Sequence, residues 1–120
     1  MGIIRDLCVE HTNLSDGDIA IIEQMAANLQ SMADITQADF FIDCATRDLD
    51  VAVVIAEAKP RTAPSLYSTS VVGQLALKQN EPAVIRTQQT GQLTLGMRGT
   101  SQEGIPIKQS VVPILNPSGE

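Results

Sequence analysis

Apolar residues recur at spacings of three and four from Ile19 through Ile22, Met25, Ala26, Leu29 and Met32 to Ala33. They form one stripe on a helix predicted over residues 16–34. Glu23, Gln24, Asn28, Gln30 and Ser31 lie off the stripe, which therefore needs a cover, either a sheet of the same domain or a second copy of the helix. Ser15 is a good N-cap, Asp18 stands where a capping box reaches back, and Asp16 and Asp18 favour the positive end of the helix dipole. A looser alternation over residues 3–10 predicts a short leading helix, broken by Thr12-Asn13-Leu14-Ser15.

Beyond Gln37 the period changes. Residues 38–46 read as a strand, 47–50 as a tight reversal, and 51–58 as a second strand apolar on nearly both faces. Residues 59–70 hold Pro60, Pro64, Tyr67 and several hydroxyl side chains, which predicts an irregular loop over the sheet. A short strand is expected over 73–77. A helix is expected from Glu81-Pro82 to Thr90, because Pro is tolerated in a first turn and Gly91 is a natural stop. Residues 92–104, with Gly96, Gly99 and Gly104, read as a mobile loop, and 105–115 as the last strand. Asn116-Pro117-Ser118-Gly119 is a turn, after which a pairing strand is expected but does not come. The chain therefore reads as one domain over 1–120, truncated at its C-terminal end. Its class is α+β, an antiparallel sheet with helices packed on it and its last strand missing.

Charge narrows the partners. Eight Lys and Arg against 14 Asp and Glu leave a formal charge of −6, with no basic run to offset it. Such a chain repels phosphate backbones and anionic bilayers, so neither nucleic acid nor membrane is expected as a partner. No apolar run approaches the roughly 20 residues that span a bilayer, and no leader is visible, so a cytoplasmic location is expected. Phe40, Phe41 and Tyr67 are the only aromatic residues, so the core must be aliphatic. Cys8 and Cys44 fall in dissimilar settings, a helix and a strand, and reduced thiols are expected rather than a disulfide.

Enzyme chemistry finds little to work with. His11 is the sole histidine and stands in a polar turn. Cys8, His11 and Cys44 make none of the standard zinc sets, and no metal or other cofactor is expected. The glycines match neither a dinucleotide fingerprint nor a phosphate loop, and Ser65, Ser68 and Ser70 have no base but His11. Four side chains stand out as tentative ligand-binding residues. Glu57 and Lys108 interrupt apolar strands, so each either meets solvent or lines a pocket. Arg86 lies in the middle of the second long helix, as an anion anchor or as part of its polar face, and Tyr67 offers an aromatic wall with a hydroxyl.

Leu7-Cys8, Glu10-His11-Thr12-Asn13-Leu14-Ser15, Asp18-Ile19, Ala26-Ala27-Asn28-Leu29-Gln30, Ala33-Asp34, Ala38-Asp39 and Thr46-Arg47-Asp48 resemble the N-terminal sensor domain of soluble two-component histidine kinases. Val71-Val72-Gly73, Glu81-Pro82-Ala83-Val84 and Val111-Val112-Pro113-Ile114 continue the resemblance along the chain. Phe41-Ile42-Asp43-Cys44, Ala56-Glu57-Ala58-Lys59-Pro60, Ser65-Leu66-Tyr67, Gly73-Gln74-Leu75-Ala76-Leu77 and Lys108-Gln109-Ser110 look most like kinases controlling ethanolamine utilisation in Gram-positive bacteria. The resemblance implies a GAF-like, PAS-related fold acting as a non-catalytic signal-input domain. It further implies downstream PAS-like and kinase domains in cis, and a response regulator engaged through the full-length kinase. An unidentified small molecule, with ethanolamine a candidate, is the implied ligand; its cation would need a carboxylate or an aromatic face, which favours Glu57 and Tyr67. The alternative is a ligand-free dimerisation module using the 16–34 helix, and self-association is expected. In a GAF-like sheet the missing strand would lie between the first strand and the last one present, leaving an open edge on 40–44 or 105–115.

Overall fold

The structure, a computed structural model, describes residues 2–119 apart from Ala63, Leu66 and Ser68, so part of the expected 59–70 loop lies outside the described residues. Helices α1 (Ile3–His11), α2 (Asp16–Ala27) and α3 (Leu29–Thr36) precede the hairpin β1 (Phe40–Ala45) and β2 (Val51–Ala58). There follow β3 (Leu75–Leu77), α4 (Pro82–Thr90), β4 (Thr94–Thr100) and β5 (Pro106–Val111). Ser15 Oγ caps α2 by accepting from the Asp18 amide at 3.1 Å. The helix expected over 16–34 is interrupted at Asn28, whose Nδ2 donates to the Gln24 carbonyl at 3.3 Å, a local side-chain bond that competes with the helical ladder.

β1 and β2 pair antiparallel with a bulge between Ile42 and Asp43, and β3 adds to the far side of β2. One face of this sheet is apolar. Cys8, Ile19, Ile22, Leu29 and Ala33 bury there against Ile42, Cys44, Val53 and Ile55, so the α2–α3 stripe is covered by its own sheet except at Met25, which is exposed. The thiols of Cys8 and Cys44, expected in dissimilar settings, meet in this layer and remain free of a disulfide. The opposite face is shared. Ala52 and Ala76 pack under Val84 and Ile85 of α4, and Val54 packs with Tyr67, Val71 and Phe41.

Arg47, in the reversal between β1 and β2, terminates α1. Its guanidinium donates to the Glu10 carbonyl at 2.7 Å, the Thr12 carbonyl at 2.9 Å and the Val9 carbonyl at 3.3 Å, satisfying acceptors that the end of a helix leaves open.

The mobile loop expected over 92–104 is instead β4, paired antiparallel with β5 in a sheet of two strands. Glycine makes this strand possible where apolar alternation does not announce it. Gly96 takes φ +61° within the irregularity between Thr94 and Met97. At Gly99 a Cβ would lie 2.7 Å from the Asn80 carbonyl, which accepts the Thr100 amide. The last strand is also shorter than the expected 105–115. β5 ends at Val111, and 112–116 run on without a ladder because Pro113 has no donor and no strand lies alongside. Ile114 still packs on the apolar layer, and Asn116 Nδ2 donates to Asp18 Oδ1 at 3.1 Å. Among the described residues β1 pairs only with β2 and β5 only with β4, so each keeps one edge without a ladder partner, as expected of 40–44 and 105–115.

Candidate functional site

The shared face carries the polar chemistry. Asp43 sits opposite Val54 in the register, on the side where Val54 meets Tyr67 and Val71. Tyr67 is buried at 7% exposure, with its ring centroid 4.8 Å from that of Phe41. Three side chains hold its loop down. Glu57 accepts the Val71 amide at 2.8 Å, and Lys59 Nζ donates to the Thr69 carbonyl at 3.0 Å. Glu103 Oε2, beyond β4, accepts from Thr69 N at 2.9 Å and Thr69 Oγ1 at 2.7 Å.

Glu81 precedes α4 and is 4% exposed. Its two carboxylate oxygens accept from Gln102 Nε2 and Gln109 Nε2, each at 2.7 Å, which fastens the β4–β5 hairpin to the start of α4. Burial raises the Glu81 carboxyl above its usual range, and the two amides only partly oppose this. Asp43 is pushed up to about 8 by burial and then by the neighbouring Glu81 charge. It nonetheless keeps some exposed surface, and no described group donates a hydrogen bond to its carboxyl. Asp43 is thus strongly desolvated yet not fully enclosed. Burial, followed by the charges of Glu81, Asp43, Asp39 and Glu103, also raises the Tyr67 phenol. Beside burial, the charges that raise Asp43 and Tyr67 are all carboxylates, so their surroundings favour a positive charge.

Two surface hollows lie elsewhere. One of about 300 Å³ is lined by Leu14, Asp18, Ile21, Ile22, Ile114, Leu115 and Asn116. The other, of about 540 Å³, lies beside Asp50, Leu77 and Pro82. Neither is lined by Asp43, Glu81 or Tyr67.

Residues 4–120 match the family described as the GAF domain of histidine kinase PdtaS. The chain belongs to that family. Sensor histidine kinase PdtaS of Mycolicibacterium smegmatis is 29% identical over 96 residues, covering 80% of this chain and 19% of that kinase. PdtaS of Mycobacterium tuberculosis is 30% identical over 87 residues, covering 72% of the chain and 17% of the kinase. The chain thus spans less than a fifth of the length of these relatives. A solved sensor region of a sensor histidine kinase shares the fold at a TM-score of 0.68 and 22% identity, over 91% of this chain and 40% of that one. The expected α+β, GAF-type fold is thereby established.

Within the GAF domain, Glu57 and Tyr67 come together through Val71, which bonds the first and packs on the second. Arg86 and Lys108 stand apart from them, both exposed, with Lys108 opposite Arg98 in the β4–β5 register. Ser68 lies outside the described residues. His11 Nε2 approaches only Glu10 Oε2, at 3.4 Å, and among the described residues no group of three His, Cys, Asp or Glu is placed to hold a metal ion. Sequence reasoning missed Asp43, Glu81 and Gln102. Asp43 did leave a signal, as the one charge inside the run Phe40-Phe41-Ile42-Asp43-Cys44. Glu81 left little, since an acidic residue before Pro82 reads as an ordinary helix start.

Proposed function

We propose that this GAF domain is the non-catalytic signal-input module of a two-component histidine kinase and that it takes a small cationic ligand in the Asp43 cleft. The observation that carries the reading is Asp43 itself, a desolvated carboxyl beside the Glu81 charge and raised by each influence acting on it. A protonated amine would supply the missing positive charge, with Glu81 and Tyr67 beside it and Glu57 holding the covering loop; ethanolamine belongs to this class.

The signal would travel by population shift. The Tyr67 loop and the β4–β5 hairpin are fastened to each other through Glu103, and the hairpin to α4 through Glu81, so a cation drawn between them favours one setting of the hairpin. The shift is bounded by the ligand's differential affinity for the two settings. In the whole kinase, that setting would pass to PAS-like and catalytic regions in cis, and through them to a response regulator. No helix among the described residues is long and apolar enough to cross a membrane.

Titration calorimetry with ethanolamine and with ethylene glycol, its uncharged analogue, tests the ligand class. Expected are heat with the amine alone, loss of that heat in Asp43→Asn, and proton release on binding near pH 7 as Asp43 ionises. No heat from either compound at millimolar concentration would count against direct sensing of a small amine. The dimerisation alternative is addressed by Leu29→Glu, because Leu29 is 4% exposed within the apolar layer. An unfolded chain is expected; a folded monomer derived from a dimeric parent would restore dimerisation through that helix.

A further inference from the structure

Cys8 and Cys44 have no part in the proposed ligand chemistry, yet they are the only two cysteines of the chain and they touch. Cys8 projects from α1 at 1% exposure and Cys44 from β1 at 6% exposure, both into one aliphatic cluster. Their thiols lie together in an otherwise apolar layer, each acting on the other's titration. From this contact we infer that the pair is a redox-sensitive latch, in which oxidation to an intrachain disulfide bolts α1 to β1.

The chemistry balances with a small disulfide as oxidant. One cysteine thiolate attacks the small disulfide and expels one thiolate, giving a mixed disulfide. The second cysteine then displaces the other small thiolate and closes the Cys8–Cys44 bond. Two protein thiols are oxidised, one small disulfide is reduced to two thiols, and the protons lost by the cysteines end on those thiols.

Closure is not spontaneous within the packed fold. Burial raises both thiols above their usual range, most strongly Cys44, so neither supplies a thiolate while α1 is seated. Oxidation must pass through a state in which α1 lifts. The restraints on that motion are few. Arg47 grips the C-terminal end of α1, and Arg5 reaches Asp16 at 3.0 Å, while Gly2 gives the N-terminal end no side-chain cap. Oxidation rate therefore reports α1 opening, and the oxidised form abolishes it. A helix that is free in one redox state and bolted in the other gives the sensor an input separate from the cleft.

Incubation of the chain with oxidised glutathione, followed by intact-mass and peptide mapping under non-reducing conditions, is the direct test. Expected is a monomer lighter by two hydrogens, with the Cys8 peptide joined to the Cys44 peptide. Cys8→Ser and Cys44→Ser should each stop at a mixed disulfide. Arg47→Ala should oxidise several-fold faster, and if it does not fold, warming the wild-type chain below its melting point provides the same acceleration. Persistent glutathione adducts on the wild-type chain, intermolecular dimers in place of ring closure, or a rate indifferent to both Arg47→Ala and warming would each overturn the latch.

Discussion

The two faces of the β1–β2 hairpin solve different problems. The face toward α1, α2 and α3 is aliphatic, with Val53 and Ile55 each at 0% exposure, and its groups need nothing beyond one another. The face toward Tyr67 and α4 breaks its packing into two small clusters and places Asp43 and Glu81 between loop, helix and hairpin. A face that only had to stabilise would not hold a carboxyl at a raised pKa, because burying charge without a partner costs free energy. The difference teaches where to look for function: the helical face carries the fold, and the Asp43 face gives up some stability to hold a site.

Three substitutions break or sharpen that contrast. The largest effect belongs to the aliphatic face. Ile55→Ala should lower unfolding free energy by about 3–4 kcal/mol through lost burial and an unfilled cavity, read as a lowered urea midpoint at unchanged slope. A loss under about 1 kcal/mol would mean that the face is not the principal core.

Asp43→Asn should act oppositely on the other face. The folded-state pKa of Asp43, about 8, lies above its ordinary value of 3.8, so the folded chain holds a proton that the unfolded chain has released. The favourable contribution of this group is complete below pH 4 and is lost as pH rises toward and through 8. Against wild type, Asp43→Asn should therefore be neutral near pH 4 and more stable by about 2 kcal/mol at pH 8, less than the full linkage of so large a shift because water reaches the group. Thermal melts across that range check it, and parallel curves for the two proteins would remove Asp43 from the argument. The smallest effect tests local structure apart from either face. Ser15→Ala removes the acceptor of the Asp18 amide and should cost about 1 kcal/mol in the same melts.

Much of the fold was legible because its signals are local. The stripe from Ile19 to Ala33, the Ser15 cap, the apolar run 51–58 and the Pro82 and Gly91 boundaries each follow from a few neighbouring residues, and the corresponding elements formed. The break at Asn28 was less legible, since its side chain chooses between solvent and the Gln24 carbonyl only once the helix exists. Glu57 and Tyr67 were found because a charge in an apolar strand and a lone tyrosine are conspicuous. Asp43 and Glu81 were not singled out, because a carboxylate's importance here comes from what surrounds it and not from its own spacing.

The sequence by itself determined the helical segments around 3–36 and 82–90, the β1–β2 hairpin and that the domain is α+β, because hydrophobic period and capping chemistry act over single turns and strands. Tertiary structure alone decided three things. It made a strand of residues 94–100, whose ladder depends on β5 and whose Gly99 admits the Asn80 carbonyl. It desolvated Asp43 beside Glu81, and it brought the Cys8 thiol against that of Cys44. Each depends on backbone pairing or burial between segments far apart in the chain, and local pattern does not encode contacts of that range.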